Sequence, residues 1–414
     1  MSKTAICPLP WISASFNTDA SFRVCCNTSH GGLIKKNDKK VYMNQVENYS
    51  DIHTTDTIQT LKKDMLSGVR SKFCSACYDA EDASGISIRQ YYIKKYSTIV
   101  DRIIASSDVN HAEKVKFLDF SLTNNCNLKC RMCTPGASYL LSQDFDKLAM
   151  PYDKEYANNA HALWSYEGVI ENLIANEGDA LSDILFTGGE PLTNQIHLKI
   201  LTGLVEKNRS QEISLTYHTN LMVLPDPVLD LWKNFKKVYV HLSLEGQGKH
   251  NDYIRHNSNW DKILQNLQKL LSKKNQIDLW IEIHTVFQAY NFLIIPSYLE
   301  FLKTYASEFP SFPHFIWIDN PSFLSVDSLP AQVKKEGLAA IQTYIDSNKE
   351  FYESADFHEF NLEKIQILQG CLNRVNLEQS DSSQKEFVDY TVKFDKLRNQ
   401  NVLDYIPQLE KVFN

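Results

Sequence analysis

The 414-residue chain predicts an α/β fold: a partial (βα)6 barrel at 111–325, after a cysteine-rich segment at 1–110 and before a helical extension at 326–414. Three observations predict it. Six short runs rich in β-branched and aromatic residues begin at Val115, helical stretches alternate with them, and each run ends in a polar or glycine-containing loop. Alternating units of this kind imply a parallel sheet with right-handed crossovers. Six strands are too few for a closed eight-stranded barrel, so the architecture is open.

The strands are expected at 115–122, 183–187, 212–219, 237–244, 277–287 and 314–319. Helices are expected near 134–148, 194–208, 226–235, 259–273 and 294–307, with an extra one around 160–176. Residues 87–104 also read as helix, whereas the rest of the first ~110 residues reads as irregular. From Asp327 onward the chain is polar and helix-like, without a recognisable motif.

Hydrophobic content of 43% and charged content of 22% fit an ordinary globular protein. The net charge of -7 offers no electrostatic footprint for a phosphate backbone, which makes nucleic acid an unfavoured partner. No apolar signal core opens the sequence and no run reaches the roughly 18 apolar residues of a membrane span. The expectation is a reducing, cytoplasmic setting, where clustered cysteines signify metal or redox chemistry rather than disulfides. Eight of the nine cysteines fall in the first third of the chain, in two groups.

The second group follows the first barrel strand: Cys126, Cys130 and Cys133 in TNNCNLKCRMC. Three thiolates on one loop suit three irons of a cubane and leave the fourth iron for an external ligand with hard donors. A zinc knuckle is the plain alternative, but it needs a fourth ligand, and the flanking histidines in sequence are His111 and His161. The C-x3-C-x2-C spacing directly after strand one resembles the signature of the radical S-adenosylmethionine (SAM) superfamily. That resemblance implies a [4Fe-4S] cluster chelated by SAM, which is cleaved reductively to a 5′-deoxyadenosyl radical that abstracts a hydrogen atom. It also places Met132, where the family usually has an aromatic residue, against the adenine.

Further segments fit the resemblance. Gly188, Gly189 and Glu190, in a GGEP turn after strand two, are similar to the family's motif for the SAM amino group. Ser243 and Glu245, after strand four, are similar to its segment for ribose and carboxylate. Thr219 and Asn220, ending strand three, either contact SAM or cap the next helix. Arg255 is a candidate for the SAM carboxylate, with a solvated or salt-bridged surface arginine as the alternative. Val286, Gln288 and Asn291 fall near the adenine and ribose segment.

The first group holds Cys7, Cys25, Cys26, Cys74 and Cys77, five thiols where four suffice for zinc or a cluster. It resembles the SPASM auxiliary-cluster module, or its shorter twitch form, in which a G-x4-C step precedes a CxxC. Here Ala20 stands at the glycine position and the module precedes the barrel. The resemblance favours Cys25 as ligand, Cys26 as spare, and a second [4Fe-4S] cluster, with structural zinc or free thiols as the alternatives. Cys371 is isolated, and its default role is a small buried hydrophobe, with a hydrogen-atom donor or further ligand as alternatives.

The family also implies an electron donor such as flavodoxin or ferredoxin. Relatives with auxiliary clusters often modify peptides or proteins, which makes that the favoured substrate class. A small molecule, sugar or nucleotide is the alternative, and a non-catalytic zinc-binding interaction protein is the rival from another class. A methyl-donor use of SAM leaves the open-iron triplet without purpose.

Overall fold

A computed structural model describes residues 5–28, 32–160, 164, 180–378 and 380–413. All six expected barrel strands form and lie in one sheet. They are β5 (Phe117–Leu122), β6 (Asp183–Gly188), β7 (Ser214–Thr219), β8 (Lys237–Ser243), β9 (Leu279–Phe287) and β10 (His314–Trp317). Each pairs in parallel with its sequence neighbour.

The N-terminal segment departs from the expectation of irregular structure. Ser13–Phe16 forms β1, which pairs in parallel with β5, and Phe22–Arg23 forms β2, antiparallel to β1. The sheet order is therefore β10-β9-β8-β7-β6-β5-β1-β2, an open eight-stranded array. Lys35–Lys36 (β3) and Lys39–Lys40 (β4) make a separate hairpin. The sequence SASF of β1 carries no branched or alternating pattern, because all four residues are buried. Its strand state is set by the edge of β5, not by its own propensity.

An aromatic ladder joins this added strand to the barrel. Phe16 stacks on its register partner Phe120 at 5.2 Å between ring centres. Phe120 meets Phe186 at 5.9 Å, and Phe186 meets Tyr217 at 5.2 Å. Trp232, on helix Asp226–Trp232, lies 4.9 Å from Tyr217. Such pairs contribute about 0.5–1.5 kcal/mol each beyond area burial.

The crossover helices follow their patterns. In Gln195–Glu206 the buried residues His197, Ile200, Leu201 and Leu204 share one face, and Asn194 caps the start by accepting from the Ile196 N–H. In Trp260–Leu271 the buried positions are Ile263, Asn266, Leu267 and Leu270. The helix expected over 87–104 is two helices, Ile88–Lys95 and Ser97–Ser106, separated at Tyr96. The one expected at 160–176 lies almost wholly outside the described residues.

The C-terminal extension is helical, with Ala331–Ser347, His358–Arg374 and Asp381–Arg398 as its long elements. These helices bury Tyr290, Phe292, Phe387 and Phe394 in a second apolar cluster beyond the end of β9. Among the described residues no helix is long and apolar enough to cross a membrane.

Two predictions follow from this packing. Phe16→Ala should cost about 3–5 kcal/mol in urea unfolding, because it opens a cavity in the core shared by β1 and β5. His197, buried and 2.7 Å from the Tyr217 hydroxyl, has its pKa lowered to about 3 by burial. Below the ordinary histidine value of about 6.5, the unfolded chain takes up a proton that the native chain refuses. Stability contributed by neutral His197 is thus complete above that value and is lost on acidification, by about 1.4 kcal/mol per pH unit. Urea unfolding of His197→Gln at several pH values should show that part of the slope removed.

Candidate functional site

The segments singled out in the sequence converge on the C-terminal edge of the parallel strands, where parallel α/β folds bind ligands. The loop after β5 starts at Thr123, whose φ of 48° turns the chain. Its hydroxyl accepts from the Asn125 N–H at 3.2 Å and from the Asn194 amide at 3.2 Å. Asn124 is buried and donates to the carbonyls of Ala157 and Pro135.

Further on, the Lys129 and Arg131 N–H groups donate to the carbonyls of His256 and Ile254, both at 2.9 Å. This short ladder ties the Cys126–Cys133 loop to the segment after β8. Cys126 Sγ accepts from the Leu128 N–H at 3.5 Å, and the Cys130 and Cys133 thiols share a hydrogen bond. Burial pushes the Cys126 thiol up to about 12, and the bond to Cys133 together with burial pushes Cys130 up as well. The Cys133 thiol is instead lowered by its bond to Cys130, whereas desolvated Cys126 and Cys130 are poor anions unless a metal supplies the compensating charge. Met132 and Cys133 are partly buried against the second apolar cluster.

Gly188 and Gly189 are required by backbone contact. Gly188 has a φ of 105°, and a Cβ there would lie 2.6 Å from the Leu122 carbonyl oxygen. A Cβ on Gly189 would lie 2.2 Å from the Asn125 carbonyl oxygen. The Gly189 N–H donates to Thr123 O and the Glu190 N–H to Asn125 O, so the turn continues the sheet onto the cysteine loop.

Glu190 gathers two other expected residues, Thr219 and Asn220, at one point. Its Oε1 accepts from Thr219 Oγ1 at 2.8 Å and from the Leu192 N–H at 3.2 Å. Its Oε2 accepts from the Asn220 N–H at 2.8 Å. Burial raises its pKa to about 7 against these donors. The Asn220 side chain then reaches Asn127 Oδ1, at 2.9 Å, back on the cysteine loop.

Glu245, fully buried, is a second hub. Its Oε1 pairs with Arg255 at 2.6 Å. Its Oε2 accepts from the Val286 N–H (2.9 Å), Gln288 (3.3 Å) and Asn291 (3.4 Å). Burial again raises the carboxyl to about 7. Arg255 Nη1 stands 3.8 Å from Cys130 Sγ, so the arginine is a buried link between hub and cysteine loop, not a surface residue. Ser243 ends β8 opposite His284 in the β9 register.

Sequence reading missed the residues that hold the loop from behind. Arg131, between Cys130 and Cys133, is fully buried and turns into the C-terminal helices. Its guanidinium pairs with Asp395 at 2.6 Å, bonds Gln400 at 3.1 Å and sits 3.8 Å over the Tyr253 ring. Tyr390 donates to the Arg131 carbonyl at 2.7 Å, and Arg398 to that of Lys129 at 2.9 Å. The partners lie some 260 residues downstream, beyond any local motif.

The N-terminal cysteines also come together. Burial pushes Cys25 well above the ordinary thiol value, with Cys7, Cys77 and Cys74 as neighbouring thiols. Cys26 adjoins Asp119, Cys25 and Arg23 more closely than Cys77. Cys74 ends the turn Lys72–Cys74 and Cys77 lies in helix Ser75–Ser84. Asn27 Nδ2 is 3.5 Å from Cys77 Sγ. Ala20 has a φ of 60°, so the left-handed conformation that suits glycine is kept although the residue is not. Cys371 is buried in helix His358–Arg374. Burial pushes its thiol up to about 12.

The residues fit an iron–sulfur cluster with an open corner. Three soft ligands sit on one loop, and the buried atoms Arg255 Nε and Gln288 Oε1 beside them have no hydrogen-bond partner.

A loop of three cysteines at the end of the first barrel strand, braced by a Gly-Gly-Glu turn from the next, defines the class. Residues 120–286 match the Radical SAM superfamily, so this stretch of the chain carries a radical SAM enzyme domain. The family uses a [4Fe-4S] cluster and SAM. The chain is 26% identical over 163 residues to a GTP 3',8-cyclase of Clostridium botulinum (strain Okra / Type B1), covering 39% of this chain and 45% of that protein. It is 27% identical over 193 residues to the GTP 3',8-cyclase of Campylobacter jejuni subsp. doylei, covering 46% and 53%. The chain thus spans about half the length of these curated relatives. Among solved structures, native anSMEcpe with bound AdoMet and Cp18Cys peptide aligns with a TM-score of 0.38 and 17% identity, over 60% of this chain and 62% of that one. Streptococcus suis SuiB aligns with a TM-score of 0.36 and 10% identity, over 77% and 65%.

Removing the Arg131 side chain strands Asp395 without its charge partner. Arg131→Ala should therefore lose about 3–5 kcal/mol in denaturant unfolding. Double-mutant analysis with Asp395→Ala should give a non-additive sum.

Proposed function

We propose that this chain is a radical SAM enzyme that abstracts a hydrogen atom from a peptide or protein substrate. The observation that carries the reading is the Cys126–Cys130–Cys133 loop, fixed on two sides and faced by Arg255. With cluster and SAM bound, reductive cleavage of SAM supplies a 5′-deoxyadenosyl radical for that abstraction.

The chain's own residues bind and orient. Cys126, Cys130 and Cys133 hold the cluster, and Met132 offers a polarizable contact for the adenine. Gly188 and Gly189 bring backbone close to the cofactor. A carboxylate offers about four acceptor sites. Glu190 has three engaged and keeps one for the SAM ammonium, beside Thr219 and Asn220. Glu245 has four donors already, so it acts by aiming Arg255, Gln288 and Asn291 at the cofactor, while Ser243 faces the ribose and carboxylate side.

Cys7, Cys25, Cys74 and Cys77 form a twitch-like auxiliary site for a second [4Fe-4S] cluster, with Cys26 outside the ligand set. The working division is an auxiliary module at 1–110, the radical SAM barrel at 111–325 and a helical extension at 326–414. A cytoplasmic flavodoxin or ferredoxin delivers the electron. A nucleotide substrate is the second reading, favoured by the likeness to GTP 3',8-cyclases.

Anaerobically purified protein should carry about eight irons per chain, for two clusters. With dithionite and SAM it should release 5′-deoxyadenosine. Joint replacement of Cys126, Cys130 and Cys133 by Ala should abolish that release. Cys25→Ala should lower iron to about four, whereas Cys26→Ala should leave both clusters. A colourless, zinc-loaded protein would sink the enzyme reading. Acceleration of SAM cleavage by GTP, and not by peptides, would move the substrate to the nucleotide class.

A further inference from the structure

The inner face of the sheet carries a histidine cluster that the proposed chemistry does not use. His218 on β7, His241 on β8 and His284 on β9 each present one ring nitrogen, and the three nitrogens lie within 4.8 Å of one another. His218 and His241 are register partners, with His241 Nδ1 3.2 Å from His218 Nε2. The His241 and His284 rings stack at 4.1 Å, and His314 of β10 stacks on His284 at 4.9 Å.

Neither ring nitrogen of His284 has a hydrogen-bond partner, although both are sealed from water. A buried polar atom in this state costs about 1–3 kcal/mol unless something else satisfies it. Glu282 Oε2 stands 3.7 Å from His284 Nε2, and Lys364 lies 3.7 Å from the same carboxylate oxygen. The Glu282 charge offsets that of Lys364, so the cluster is not dominated by a positive charge.

From these contacts we infer that His218, His241 and His284 form a binding site for one divalent transition ion of the zinc or iron(II) class, with Glu282 in its outer shell. Neutral imidazole is a preferred ligand for such ions. Burial favours the neutral form, lowering His218 and His241 to about 3 and His284 to about 4. Metal–nitrogen bonds of about 2.0–2.1 Å give a tetrahedral edge of roughly 3.3 Å, and the His218–His241 spacing already matches it. A shift of about 1.5 Å by imidazole rotation brings the widest pair to the same edge.

Three protein ligands leave a further coordination position, the pattern of catalytic rather than structural sites. The histidine cluster lies near the segments expected to meet the cofactor. His241 lies two residues before Ser243, and His284 two before Val286, on the same faces of β8 and β9. The ion would thus stand one side-chain step inside the strand ends. The inference concerns the histidines alone and survives if the cysteine chemistry is otherwise.

The experiment uses Co2+ as probe, on the full chain with its clusters intact and on the chain with Cys126, Cys130 and Cys133 replaced by Ala. Both should bind one Co2+ with ligand-field absorption but no thiolate charge-transfer band. X-ray absorption at the cobalt edge should show imidazole scattering and no sulfur shell. His218→Gln and His241→Gln should each weaken binding by more than about 100-fold. Cobalt bound only through sulfur, or no binding beyond the cysteines, would overturn the inference. Unchanged affinity in both glutamine variants would do the same. If the variants misfold, the absorption spectrum of the unsubstituted protein decides alone, since sulfur and imidazole shells are distinct.

Discussion

The buried guanidinium of Arg131 is the constraint on which the cysteine loop depends. A charge fully removed from water persists only when its surroundings offset it, and here a carboxylate, an amide and an aromatic face do so, although Nη1 has no hydrogen-bond partner. The same residue's N–H and carbonyl are tied to Ile254 and Tyr390. Side chain and backbone therefore fix the stretch between Cys130 and Cys133 from two directions. The thiols point out of a loop that the rest of the molecule has already positioned.

On the other side of the loop, two buried carboxylates organise the strand ends. Glu190 joins β6, β7 and the cysteine loop through Thr219 and Asn220. Glu245 joins β8, β9 and Arg255. Burial opposes the charge of both, and donors from neighbouring strands offset it. Strand-end loops, usually the mobile part of such folds, are here cross-linked by short-range polar contacts.

Much of this was legible in the sequence because periodicity and spacing are local. All six barrel strands were readable, since branched and aromatic residues mark them without reference to partners. The two cysteine groups were readable from spacing and compartment. β1 was not, because SASF becomes a strand only against β5. Arg131 was visible as a residue but not as a clamp, since Asp395 lies 264 positions away. Glu245 looked like a ligand contact because a sequence cannot reveal that its lone pairs are already taken. Ala20 looked like a departure from the glycine pattern, yet its backbone keeps the glycine conformation. The histidine face was hidden by alternation: His218, His241 and His284 occupy the positions that read simply as the polar side of a strand.

Pairing β1 with β5 joins Ser13 to Phe117, so about 100 residues separate the two halves of one ribbon. A ribosome releases Cys7, Cys25, Cys74 and Cys77 before that ribbon can close. The growing polypeptide thus exposes these four thiols while the sheet meant to shelter them is still unmade. Whatever reaches those thiols first is accordingly a matter of timing as well as of affinity.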